Sequence, residues 1–423
     1  MDSTKRRLIA GVILLLIMGG VGVLINYLSP SLAYGNSDSK ALSVNKSIVA
    51  SNTDFAVRLL KELQNEQSGK DIFISPLSVS IALSMAYNGA NSSTREAMGS
   101  VLGFSGMSDD AVNTGFQQLI DSLLNVDKDV SLNIADSVWI RSDFASSVNP
   151  VFTNTLSSYF RSEVYSRPFD TSTVSEVNSW VNKETNGKIS QLLDKIDSQD
   201  MMFLINAIYF KGDWVDKFDS TLTQSASFTT TDGTSVQVDM MSRGGSYAYY
   251  GDDNVQVARL PYGRDKIAMY VFLPAEGSSL KSFTAGLTGD SLDAYFSKLS
   301  NTELALQLPK LKLDYGKVDL KDALTNLGMG VAFDSNSADF NRIADVRPEH
   351  LYIAFVDHKA VIEVNEQGTV AAAATNVGIS VTSMPIRTSF IVNRPYMFVI
   401  RDDRSGTILF SGLISDPTSQ NSP

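Results

Sequence analysis

His350 and His358 are the only two histidines in this 423-residue chain, and any case for proton shuttling near neutral pH rests on them. A Ser/His/Asp relay needs one of them free. His358 lies in a strand-like run where Val356, Ala360, Ile362 and Val364 share its face, so a buried, hydrogen-bonded structural histidine is the better reading. His350 follows Arg347-Pro348-Glu349 in a turn and reads as a solvent-exposed side chain. There is no Cys, which excludes disulfides, thiolate metal sites and a cysteine nucleophile. No G-x-x-x-x-G-K-[ST], H-E-x-x-H or G-x-S-x-G pattern occurs, and among 46 acids no pair stands out for glycoside hydrolysis. With 35 Lys+Arg against 46 Asp+Glu the net charge is −11, which argues against nucleic acid as a partner.

The elements around these residues are those of a folded chain, 43% apolar and 19% charged. Lys5-Arg6-Arg7 precedes an uncharged run from Leu8 to Leu28, long enough to cross a membrane. Ser31-Leu32-Ala33 supplies the small residues of a signal-peptidase site, so residues 1–34 read either as a membrane anchor or as a signal peptide. Either way the remainder is exported, to the extracellular space or the outer face of the membrane. Residues 35–51 read as a flexible tether, 52–418 as a single domain and 419–423 as a disordered tail.

Within that domain Asn52-Thr53-Asp54 is expected to cap a helix with a Phe55, Leu59, Leu60, Leu63 stripe. Ser75-Pro76 opens a second helix that stops at Asn88-Gly89. Ser93 and Glu96 make a capping box for a third, and Val174, Val177, Trp180 and Val181 belong to one ending at Asn186-Gly187. Met202–Phe210 is a nearly continuous apolar run, the pattern of a strand covered on both faces, and its Asn206 requires buried partners. Further strands are expected at Val255–Arg259, Ile267–Leu273, Leu351–Asn365, Ser389–Ile400 and Thr407–Leu413. The early half is helix-rich and the late half strand-rich, so the class is α+β.

One segment stands apart. Between Glu366 and Arg387 lie 20 residues without a charge. Read with period 2, one face is Thr369, Ala371, Ala373, Thr375, Val377, Ile379 and Val381, and the other runs from Val370 through Ala372 and Ala374 to Thr382. By itself this is the pattern of an ordinary core strand after a turn at Gly368.

Glu366-Gln367-Gly368-Thr369-Val370 followed by Ala371, Ala372, Ala373 and Ala374 resembles the hinge of the serpin family, E-x-G-T-E and then small residues. The likeness extends along the chain. It includes Ile72-Phe73-Ile74-Ser75-Pro76-Leu77-Ser78, Asn206-Ala207-Ile208-Tyr209-Phe210-Lys211-Gly212-Asp213-Trp214, Leu308-Pro309-Lys310, Asn393-Arg394-Pro395-Tyr396 and Phe410-Ser411-Gly412, in family order. The resemblance, to a prokaryotic-type member with a leader, implies several helices packed on three β-sheets, with an exposed reactive-centre loop. It implies a protease inhibitor and not an enzyme: a protease attacks the loop, an acyl-enzyme forms, and the cut loop inserts into the central sheet. The alternative is a non-inhibitory binding or chaperone protein on the same fold. Residue by residue, Ser75, Ser78, Asn206 and His358 match the polar cluster where strands part. Trp214, Lys310 and Glu366 match the insertion mouth, and Val370 departs from the family's usual Glu. Counting from Gly368 puts the cleaved bond at Thr382-Ser383, with Ser383-Met384 as the alternative. Thr382 suits a serine endopeptidase with a small or apolar pocket, elastase-like or subtilisin-like. No cofactor or metal is implied. A monomer is expected, with loop-to-sheet polymers on mild heating, and membrane contact only through the N-terminal segment.

Overall fold

The computed structural model describes residues 44–348, 350–369 and 387–419. Helix α1 (Lys46–Glu66) starts before the expected cap: Asn45 is the cap, its side chain accepting from Ser47 N at 2.9 Å. The 3.6-residue stripe of Phe55, Leu59 and Leu63 extends back to the buried Ile48. Asn52 and Thr53 lie inside the helix, bonded to Ser80 and to the Val49 carbonyl. Residues 46–51 are therefore helix and not tether.

Helix α2 (Pro76–Gly89) begins as expected, with the Ser75 hydroxyl accepting from Ser78 N at 3.2 Å and Pro76 in the first turn. Helix α3 (Ser92–Leu102) forms without the Ser93/Glu96 box, because its start is pinned from outside by Asn91 and Ser92 donating to the Asp339 carboxylate. α4 (Asp109–Leu123), α5 (Pro150–Phe160) and α6 (Thr171–Glu184) follow, and left-handed Asn186 and Gly187 come after α6 as expected.

The strands up to residue 274 are β1 (Ile72–Ile74), β2 (Val130–Arg141), β3 (Glu163–Arg167), β4 (Met202–Asp213), β5 (Gln224–Thr229), β6 (Ser235–Gly251), β7 (Val255–Tyr262) and β8 (Ile267–Pro274). After them come β9 (Ser300–Pro309), β10 (Leu311–Asp319), β11 (Asp357–Asn365), β12 (Gly368–Thr369), β13 (Thr388–Ile391), β14 (Tyr396–Asp402) and β15 (Thr407–Ile414). A six-stranded sheet runs β10-β11-β12-β4-β2-β3, and a nine-stranded one runs β1-β15-β14-β8-β7-β6-β9-β13 with β5 on β6. The three expected sheets are hydrogen-bonded as two because the 17-residue β6 pairs with β5 and β9 along most of its length and with β7 at its end.

Two expected strands are shorter. Of Leu351–Asn365 only Asp357–Asn365 is strand, since the six residues before it border a cavity and have no ladder partner. Ser389–Ile400 is interrupted between β13 and β14, where Pro395 cannot donate to a ladder. Of the expected tail, Ser419 donates to the buried Asp71, and residues 420–423 lie outside the described residues.

β4 is covered on one face by α6, through Phe203, Ile205 and Ala207 against Val177, Trp180 and Val181. Its other face, Leu204, Asn206 and Ile208, is half-buried and not sealed as the apolar run implies, because it looks onto the cavity between β4 and β11.

Candidate functional site

The site lies along the line where β4 and β11 part. At its upper end the chain leaves β11, turns at Glu366-Gln367 and re-enters as β12. Gly368 pairs with Asn365 on one side and Asp213 on the other, and Thr369 pairs with Val364 and Gly212. Gly368 adopts φ +151°, and a Cβ there would fall 2.1 Å from the Gly212 carbonyl oxygen. Only glycine fits so close to a neighbouring backbone.

Trp214 walls this mouth. Its backbone N–H donates to Gln367 O at 2.8 Å and its indole N–H to Asn365 O at 2.9 Å. Its ring stacks on Tyr262, centroids 4.3 Å apart and planes 15° apart. The Tyr262 hydroxyl in turn meets the Thr369 hydroxyl at 2.7 Å, both side chains being buried.

Glu366 accepts from the Thr223 hydroxyl at 2.9 Å, and its ion pair with Lys310 is longer, 3.4 Å. Burial by itself would raise the Glu366 pKa. Its own backbone N–H, Thr223 and Lys310 outweigh that and hold it below the usual carboxylate value. The Glu366 carbonyl accepts from Phe218 N at 2.9 Å, so the turn is fastened from both backbone and side chain.

Below the mouth lies the polar cluster. His358 Nε2 accepts from Ser75 N at 3.1 Å, and burial pushes its pKa down to about 4, so the ring is neutral. The Ser75 hydroxyl donates to Leu409 O at 2.7 Å. On the other side the Ser78 hydroxyl donates to Asn206 Oδ1, and Asn206 Nδ2 donates to Asp136 Oδ1 at 2.8 Å. Burial raises the Asp136 pKa to about 7, with the Asn206 bond acting against it. The two halves meet in the first turn of α2, where Ser78 N donates to the Ser75 hydroxyl. The four residues singled out by sequence are thus brought together, but as two pairs on opposite sides of the gap.

Between the strands is a cavity of about 800 Å³. Gln199 to Ile208 form one wall, His350 to Lys359 the other, and Ser78, Leu83 and Ala86 of α2 the floor. His350 is exposed, as the sequence suggests, and sits at the rim of the cavity with Nδ1 2.9 Å from Ala338 O. Thr382, Ser383 and Ala371–Ala374 lie outside the described residues.

Asp136 and Tyr262 are not among the residues the sequence points to. An acid on the same alternating face as Ile134, Val138 and Ile140 is the signal that would have found Asp136. Tyr262 carries no such signal, because its role depends on a contact between two sheets.

The serpin family profile, described as serine protease inhibitor, matches residues 50–417. Serpin-ZXA of Oryza sativa subsp. japonica is 34% identical over 393 residues, covering 87% of this chain and 97% of its own. Among solved structures, the thermophilic serpin tengpin in its native state matches with TM-score 0.81 and 29% identity, over 88% of this chain and 95% of that one. Thyroxine-binding globulin complexed with thyroxine matches with TM-score 0.77 and 30% identity, over 88% and 99%.

Proposed function

Because the chain belongs to the serpin family of serine protease inhibitors, we propose that it inhibits an exported serine endopeptidase as a suicide substrate. The observation that carries this reading is the seat of Gly368 and Thr369 between β11 and β4, directly above a slot that none of the described residues fills.

The two registers set by Thr369 support the same reading. Continued six residues further on insertion, they would bring Thr375 opposite both His358 and Asn206. Continued thirteen, they would bring Thr382 opposite Leu351 and Gln199, the far end of the cavity walls. The slot is therefore as long as the strand that cleavage after Thr382 would release. Thr375 would bring a hydroxyl between the two halves of the polar cluster, and Val377, Ile379 and Val381 would cover the floor.

In this reading the protease serine attacks the Thr382 carbonyl. The peptide bond to Ser383 breaks, Ser383 leaves as a free amine, and Thr382 stays attached to the protease as an ester. Each new strand residue adds ladder hydrogen bonds worth about 0.5–1.5 kcal/mol net, and each buried Val or Ile about 1.5–3 kcal/mol. Ordering each residue costs about 1–2 kcal/mol, so insertion wins only when the full strand is accepted. The small Thr382 suits an elastase-like or subtilisin-like pocket. Residues 1–34 would export the inhibitor or tether it outside the cell; they lie outside the described residues, among which no helix is long and apolar enough to span a membrane.

The test incubates residues 36–423 with subtilisin-like, elastase-like, chymotrypsin-like and trypsin-like proteases. An SDS-stable complex and a released fragment starting at Ser383 are expected. Clean cleavage throughout, with no gain in heat stability, would replace this reading by the non-inhibitory one.

A further inference from the structure

Tyr262 ends β7, in the nine-stranded sheet, yet its hydroxyl is bonded to Thr369 of β12 in the other sheet. Its ring has no freedom to look elsewhere. It is stacked on Trp214, stands edge-on to Phe210 at 5.1 Å, and crosses Gly212 so closely that a Cβ there would come within 3.0 Å of it. Trp214 is itself fixed by the Asn365 carbonyl. The hydroxyl thus sits in an aromatic wall, and among the described residues Thr369 is its hydrogen-bond partner. Withdrawing Thr369 from the slot would strand a buried phenol hydroxyl, which is costly.

We propose that Tyr262 is a positioning residue that holds Gly368 and Thr369 seated between β11 and β4 before any cleavage, so that insertion extends an existing strand end instead of starting one. This rests on the inhibitory reading above. Once the acyl-enzyme forms, insertion competes with hydrolysis of the ester. A pre-seated hinge shortens the first stage of that race, and Tyr262 would thereby set the fraction of encounters that end in a trapped protease.

Tyr262→Phe keeps the stack on Trp214 and removes only the hydroxyl. Hydrogen exchange on the uncleaved protein should show the Thr369 and Gly212 amides exchanging about fivefold faster, the factor expected for one lost hydrogen bond. With a protease that the wild type traps, the variant should need more inhibitor per protease inactivated while being cleaved at the wild-type rate. Thr369→Val should reproduce both effects, the double variant should be no worse than either single one, and Thr369→Ser should restore the wild-type values. Unchanged exchange in Tyr262→Phe, or additive effects in the double variant, would overturn the proposal. The exchange readout needs no protease, so a wild type that traps none of the panel and gains no heat stability on cleavage would refute the inhibitory reading while leaving the seating role to be decided by exchange.

Discussion

Asp136 and Asn206 face each other across β2 and β4, the amide of one donating to the carboxylate of the other at 2.8 Å, while His358 stands on β11 across the gap with its ring neutral. A buried acid and a buried base therefore flank the slot at one level, each carrying no charge when protonated and deprotonated respectively.

Their titrations oppose each other. Asp136 is raised from the ordinary carboxyl range to about 7, so its contribution to stability is full below about pH 4 and is lost as pH rises through 7. His358 is depressed to about 4, so its contribution is present above about pH 6.5 and is lost as pH falls to 4. Between pH 7 and 4.5 the two largely cancel. Asp136→Asn should lose stability on acidification relative to wild type, and His358→Gln should gain it, each by about 2–4 kcal/mol. Thermal unfolding at the two pH values reads this out, and profiles parallel to wild type in both variants would refute it.

The second expectation concerns Gly368. A Cβ at this position would lie 2.1 Å from Gly212 O and 2.7 Å from Asp213 Cα, both backbone atoms that cannot swing aside. Gly368→Ala should unseat β12 and turn an inhibitor into a substrate, and Thr369→Arg should do the same by placing a charge where the wild-type side chain is 2% exposed. Complex formation on gels gives the answer, and full inhibition by either variant would exclude strand insertion.

A third prediction separates the two partners of Glu366. The Lys310 pair is 3.4 Å long and its ammonium side chain is 38% exposed, so Lys310→Met should cost under about 1 kcal/mol. Thr223→Val removes a 2.9 Å bond to a mostly buried carboxylate and should cost more, about 1.5–3 kcal/mol. Denaturant unfolding of the two variants should rank them in that order; the reverse ranking would mean that the ion pair is the main fastening.

Much of this was legible along the chain. The caps at Ser75-Pro76 and the stop at Asn186-Gly187 are local, because one or two residues make their own hydrogen bonds or tolerate a left-handed backbone. The α1 start differs for the same reason: Asn52-Thr53-Asp54 has the local chemistry of a cap, but Asn45 caps the helix and Asn52 is buried inside it, accepting from Ser80, 28 residues away. β9 and β10 lie outside the strands expected from sequence although both carry a period-2 pattern, Leu304, Leu306 and Leu308 alternating with the more exposed Ala305 and Gln307, and Leu311, Leu313 and Tyr315 with Lys312 and Asp314.

For the site, the sequence by itself determined that His358 would be buried, that Asn206 in an apolar run would need partners, and that residues 366–386 could form a strand with one apolar face. Burial and period 2 are properties of neighbours along the chain. What only the tertiary structure decided is that His358 pairs with Ser75, that Asp136 completes the Asn206 side, and that Tyr262 reaches from one sheet to Thr369 in the other. These are contacts over 283, 70 and 107 residues, set by how two sheets and one helix turn stack, and no local pattern encodes a distance of that kind.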